Sequence, residues 1–210
     1  MASANRPVCY ADPADHCSHR IRLALAEKGI DVRIVEVAAG QRPAEPVAAA
    51  TPFRLPALVD RDLVIDEPDV LLEYLEERHP HPPLLPAYPV ERARSRLLMR
   101  RILRDWYPLL DRLQASGGDE GERAMARREL AASLTEAAPL FAAQPFFLSI
   151  EFSLVDCCLL PLLWRLPALD IELPPGQARP LLDYMERLFA RDSFQASLSS
   201  TERALRRGVR

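Results

Sequence analysis

Two histidines stand two residues apart in the run ERHPHPPLLPAYP, residues 77–89, which carries prolines at 80, 82, 83, 86 and 89. Imidazole can move a proton, ligate a metal, or donate and accept hydrogen bonds at a partner surface. A metal at His79 and His81 would need ligands from elsewhere, because two imidazoles do not complete a site and no other His or Cys lies nearby in sequence. The prolines exclude regular helix and sheet, so the segment is a stiff connection. Such a connection can be a plain spacer. It can equally be a docking surface whose backbone needs no ordering on binding.

Charge is separated on either side of this run. Residues 60–77 hold eight acids and one base, Arg61, whereas residues 91–104 hold six arginines and one acid, Glu91. Arg92, Arg96, Arg100 and Arg104 recur every four residues and so share one helix face. A solvated face is the ordinary reading of such a stripe. A nucleic-acid stripe fits less well, since no aromatic residues interleave with the arginines and the net charge is -3.

The composition, 49% hydrophobic and 27% charged over 210 residues, is that of a globular chain able to bury a core. No apolar run approaches the ~20 residues that span a bilayer. The opening residues lack the basic, apolar and small-residue order of a secretion signal, so a cytoplasmic protein with no membrane contact is expected. Cys9 and Cys17 are eight apart and Cys157 and Cys158 adjacent, spacings that supply neither a disulfide framework nor a zinc cluster.

The elements that position these residues read as follows. VCYAD is a short strand, SHRIRLALAEKGI a helix with Ile21, Leu23, Ala24 and Leu25 inward and Gly29 as its stop. DVRIVEV alternates with period two, as a half-buried strand does. A proline- and alanine-rich loop is expected over 38–51. LPALVD and LVIDE are two strands joined at Asp60, Arg61 and Asp62, and PDVLLEYLEERH is a helix with Pro68 in its first turn. Everything past the prolines reads helical: one long helix through VERARSRLLMRRILRDWYPLLDRLQ, another over about 122–137, an all-round apolar helix SLVDCCLLPLLWRL entered by a Ser153–Asp156 capping box, and RPLLDYMERLFARDSF.

A small α/β unit, a proline linker and a helical domain with a capped central helix resemble the glutathione-transferase family. FRLPALVD looks like that family's cis-proline loop, DEPDVLLEYL like the segment that holds the γ-glutamyl end of glutathione, and FSLVD like its helical capping motif. The fold class this implies is an α/β thioredoxin-like domain over 1–86 followed by an all-α domain over 87–210. Within the fold, the chain is similar to the stringent starvation protein A family through SHRIRLALAEKG, LVDRDL, EYLEERHPHPPLLPAYPVERARSRLLM, DWY, EFSLVDCCLLPLLWRLPALDIE and ARDSF.

That resemblance implies a non-catalytic transcription regulator. It would bind RNA polymerase holoenzyme with its housekeeping sigma factor and alter promoter use during starvation, stationary phase or acid stress. It implies no cofactor, no metal and no sequence-specific contact with nucleic acid. Pro80, His81 and Pro82 match the family's partner-binding motif, with Tyr88 as a further contributor. The resemblance also implies a homodimer that would set the acidic segment, through Asp69 and Glu73, against Arg92, Arg96 and Arg100 of the second subunit.

The thiol site implied by the fold is degraded. Aligning DHCSHR on the family's catalytic run puts Asp15 at the nucleophile position, where a carboxylate would repel a glutathione thiolate. Glu67-Pro68 stands where the family reads Glu-Ser, and proline supplies neither the hydroxyl nor the N–H that binds the γ-glutamyl carboxylate. Asp15, Ser18, Leu55, Pro56, Glu67 and Pro68 are therefore read as a vestigial glutathione site, with Pro56 the expected cis-proline. Ser18 is expected to cap the helix. The alternative is a glutathione-dependent transferase or reductase using Cys17 or Ser18.

Overall fold

The computed structural model describes residues 6–38, 40–41, 54–115 and 117–206, so most of the loop expected over 38–51 lies outside the described residues. The chain divides into two compact units, Met1–Pro83 with Ser193–Ala204, and Leu84–Asp192 with Leu205–Arg210.

In the first unit, β1 (Val8–Ala11), α1 (His16–Glu27) and β2 (Arg33–Glu36) form a βαβ turn with β1 and β2 parallel. β3 (Ala57–Asp60) runs antiparallel to β1, and β4 (Leu63–Ile65) antiparallel to β3, giving the order β2-β1-β3-β4. α2 (Pro68–Arg78) closes the unit, a βαβ–ββα arrangement of the thioredoxin-like kind. Ile21, Leu23, Ala24 and Leu25 are all buried, as the helical period requires. β2 departs from its expected half-burial. It lies at the sheet edge, Ile34 stays 42% exposed, and the buried apolar residue is Val37 just beyond the strand.

Five charged or titratable side chains of α1 and its C-cap are nevertheless buried: His16, His19, Arg20, Arg22 and Lys28. A buried charge must be paired. The C-terminal segment supplies the partner for two of them. α8 (Asp192–Ser197) and α9 (Ser200–Ala204) return to α1, where the fully buried Glu202 accepts from Arg22 Nη2 at 2.7 Å and lies 3.2 Å from His19 Nδ1. Ser199 and Glu202 bond reciprocally, backbone N–H to side chain in each direction, so one carboxylate caps α9 and anchors it.

The second unit is helical: α3 (Pro89–Asp105), α4 (Tyr107–Gln114), α5 (Glu120–Ala137), α6 (Leu154–Arg165) and α7 (Arg179–Phe189). The long helix expected through residue 114 is broken at Trp106. Pro108 lacks the N–H that would bond residue 104, and its ring crowds that carbonyl. The expected last helix also ends early, at Phe189, before α8 restarts at Asp192. All twelve residues of α6 are buried, and its capping box forms as the sequence reads, with Ser153 Oγ accepting from Val155 and Asp156 accepting from the Ser153 N–H at 2.8 Å. Asp156 also accepts from Phe147 N–H at 3.0 Å and Tyr184 hydroxyl at 2.7 Å. Burial raises the Asp156 pKa despite those bonds, and for Tyr184 burial, the Asp156 charge and the bond to it all raise the phenol.

Candidate functional site

The proline-histidine run is fastened at its start. α1 ends at Glu27, and Gly29 takes a left-handed φ of 60° that turns the chain away, leaving Lys28 as a buried C-cap. Lys28 Nζ lies 2.5 Å from Glu76 on α2 and donates to the Pro82 carbonyl at 2.7 Å. Glu76 sits one turn before His79, so the ion pair holds the end of α2 and the loop in one grip. The second half of the run is held in the helical unit, where the Leu84 carbonyl accepts from Leu154 N–H at 2.8 Å at the head of α6.

Between those fastenings the side chains face water. Pro80, His81 and Pro82 are exposed, and the His81–Pro82 bond is cis. Tyr88, the N-cap of α3, is 75% exposed and belongs to the helical unit. His79 caps α2 and is half-buried. Burial, with the Arg78 and Lys28 charges, holds its imidazole below the ordinary value against the opposite pull of Asp60. A cavity of about 360 Å³ opens beside His79 and His81, walled also by Lys28, Asp31, Asp60, Arg61 and Arg78.

The thiol region differs from the expectation in one respect. Asp15, not Ser18, is the N-cap of α1: its Oδ2 accepts from Ser18 N–H at 2.6 Å. Ser18 is fully buried in the first turn and its hydroxyl accepts from Asp12 N–H at 3.0 Å. Aspartate caps as well as serine does, and here its carboxylate also takes the favourable end of the helix dipole. Cys17 is half-buried with Sγ 3.4 Å from His16 Nδ1, whereas burial pushes the Cys9 thiol up to about 12. The ligand atoms of Asp15, His16 and Cys17 lie within 4.8 Å of one another. One Asp15 oxygen is already engaged, and the positive end of α1 disfavours a cation there.

The remaining residues of the implied glutathione site are brought to two strand and helix starts. Leu55–Pro56 is cis as expected and leads into β3. Glu67 is the N-cap of α2 with Pro68 in the first turn, and its carboxylate pairs with Arg54, whose N–H donates to Asp66 at 3.0 Å. Of the implied dimer residues, Asp69 is paired with buried Arg20 at 3.0 Å, Glu73, Arg92 and Arg96 are half-buried, and Arg100 is exposed. Val90 and Leu97 protrude from another face of α3, 59% and 70% exposed.

Reading by motif missed Lys28, Glu76, Arg61 and Arg78. The signal for Lys28 was weak: a lysine before the Gly29 helix stop, where a cation suits the dipole.

The site and fold together define a glutathione-transferase architecture. The glutathione S-transferase N-terminal domain family matches residues 16–78, and the C-terminal domain family residues 96–192. Glutathione transferase Omega 3C from Trametes versicolor superposes with a TM-score of 0.80 at 24% identity, over 94% of this chain and 86% of that one. In sequence, the stringent starvation protein A homolog of Coxiella burnetii is 46% identical over 198 residues, 94% of this chain and 93% of the relative. Rat (Rattus norvegicus) maleylacetoacetate isomerase is 30% identical over 203 residues, covering 92% and 93%. The chain belongs to the stringent starvation protein A family. Among the described residues, no helix is long and apolar enough to cross a membrane.

Proposed function

We propose that the protein is a non-catalytic transcription regulator that docks RNA polymerase holoenzyme, with its housekeeping sigma factor, through Pro80, His81 and Pro82, with Tyr88 contributing. The regulatory role fits family membership. The observation that carries the docking surface is the contrast at Pro82: its carbonyl is bound to a buried lysine while the side chains around it are exposed. A loop already ordered by its own protein spends little binding energy on ordering. The test replaces Pro80, His81 and Pro82 with alanine and measures fold, mass and holoenzyme binding together. A folded protein that has lost binding is expected. Undiminished binding and regulation would reduce the run to a spacer.

The working unit in this reading is a homodimer. Exposed Val90 and Leu97 supply apolar contact, and the charged segments set register, since exposed ion pairs contribute only ~0–1 kcal/mol each. In this reading the domain boundary falls at 86/87, just before α3 begins at Pro89. Sedimentation of a monomer at micromolar concentration and moderate salt would contradict the dimer.

A glutathione-dependent enzyme is the second reading, favoured by the Cys17–His16 contact at the head of α1 and by the likeness to maleylacetoacetate isomerase. Against it, the Asp15 carboxylate caps the head of α1, where it would repel a glutathione thiolate, and Pro68 removes a ligand donor. Glutathione turnover near background, unchanged by Cys17→Ala, is expected. Robust turnover abolished by that change would favour the enzyme.

A further inference from the structure

We infer that the cavity beside the proline-histidine loop seats a carboxylate side chain, an aspartate or glutamate presented by the docked protein. This rests on the docking reading above and names the chemistry its partner must bring.

The charges on the cavity wall are unequal in their commitments. Asp31 is bonded to Arg6 at 2.5 Å, and Asp60 accepts from the Tyr74 hydroxyl at 2.6 Å. Lys28 is neutralised by Glu76 and spent on the Pro82 carbonyl, so it serves as the floor and not as a free cation. Arg61 and Arg78 are exposed, and neither has a carboxylate partner among the described residues. Two guanidinium groups therefore share the wall with one acid that no cation holds, Asp60, whose partner is the neutral Tyr74 phenol, and Arg78 bonds that same phenol. One incoming carboxylate balances the set. His79 and His81 add ring N–H donors on the loop side.

Geometry and chemistry both suit a carboxylate carried by a protein. Guanidinium groups bind carboxylates through paired, planar hydrogen bonds. The volume of about 360 Å³ admits a short acidic side chain with its flanking backbone. Residues 60–77 carry eight acids against Arg61, so a long, evenly charged nucleic-acid backbone is disfavoured there relative to a short acidic peptide. Arg61 holds its place with a left-handed φ of 61°, a conformation that glycine adopts without strain. The same fact supplies a clean variant, because Arg61→Gly removes the guanidinium and relaxes the backbone.

The experiment uses the full chain and the double variant Arg61→Gly/Arg78→Gln. Holoenzyme affinity is expected to fall at least tenfold, with a shallower dependence on salt. In parallel, His79 and His81 ring resonances are followed by NMR during titration with an acetylated, amidated tri-glutamate peptide, its tri-glutamine counterpart, and inorganic phosphate. Tri-glutamate is expected to shift both rings in the parent protein and neither in the double variant, with tri-glutamine inert. Unchanged holoenzyme affinity in a folded double variant, while the Pro80/His81/Pro82 triple alanine abolishes binding, overturns the carboxylate seat and leaves docking intact. Undiminished binding by the triple alanine overturns docking itself. Phosphate shifting the rings where tri-glutamate does not assigns the cavity to another anion and overturns the inference.

Discussion

Lys28 at the end of α1 and Pro82 in the linker are 54 residues apart, yet the lysine ammonium donates to the proline carbonyl at 2.7 Å. A backbone acceptor in a proline-rich run has few helical or sheet partners, and here a buried cation supplies one. Glu76 at 2.5 Å supplies the counter-charge inside the protein. The exposed surface of the loop is thus held from beneath by a pair that no solvent competes for.

Breaking the pair on one side is expected to be expensive. Lys28→Met leaves Glu76 buried against its lost partner and should destabilise by ~3 kcal/mol. Lys28→Met with Glu76→Leu should recover much of that loss, because an apolar pair carries no uncompensated charge. Chemical denaturation of the parent, single and double variants checks the order. Holoenzyme binding should weaken in both variants, since each releases the Pro82 carbonyl.

Asp156→Ala removes the acceptor of bonds from Ser153, Phe147 and Tyr184 in the helical unit. Each bond contributes ~1 kcal/mol, and the donors left behind are buried. A loss of at least ~3 kcal/mol is expected in thermal unfolding. A variant within 1 kcal/mol of the parent, in order-of-magnitude terms of the same bonds, would mean water replaces the carboxylate.

Glu202→Ala strips the counter-charge from buried Arg22 and the side-chain half of the α9 cap. Destabilisation of ~3–5 kcal/mol is expected for a broken buried pair. Because Ser199 also donates to the Pro13 carbonyl at 2.6 Å, the release should extend toward the loop before α1. Hydrogen exchange is the measurement: faster exchange in 199–204 and 12–15 than in α6 is the predicted pattern.

His79 provides a pH dependence whose sign follows from its surroundings. Burial and then the Arg78 and Lys28 charges set its folded pKa below the ordinary imidazole value of 6.5. As pH falls through the ordinary value, the unfolded chain takes up a proton that the folded chain refuses. This group's contribution to stability is therefore present above that value and lost as pH drops to the folded pKa. Arg78→Gln should move the His79 titration upward, read directly by NMR. A shift downward would exclude Arg78 as a cause.

Much of the architecture was legible because it is written in short-range chemistry. The 3.6-residue period marked Ile21, Leu23, Ala24 and Leu25 as core, and the Ser153–Asp156 pair marked the head of α6. The exposed prolines around His81 were readable as a stiff, unstructured run. The break at Trp106 was readable too, from Pro108, but the apolar period on either side masked it. Serine and aspartate compete for the cap of α1, and only the position of the first helical turn gives it to Asp15 and not Ser18.

The tertiary structure alone decided which charges were buried and with whom. Local pattern places a lysine, an arginine or a glutamate on a wet face, since burying one unpaired is costly. Lys28 with Glu76 and Pro82, and Arg22 with Glu202, escape that cost through partners 48 to 180 residues away. No periodicity records such a partner, because pairing depends on where the chain returns. The same holds for β2, whose alternation suits a half-buried strand while its edge position leaves Ile34 in water. What the sequence determined by itself was each segment's preferred conformation and apolar face. The cavity of Arg61, Arg78, His79 and His81 exists only where the β3–β4 turn, the end of α2 and the proline loop meet.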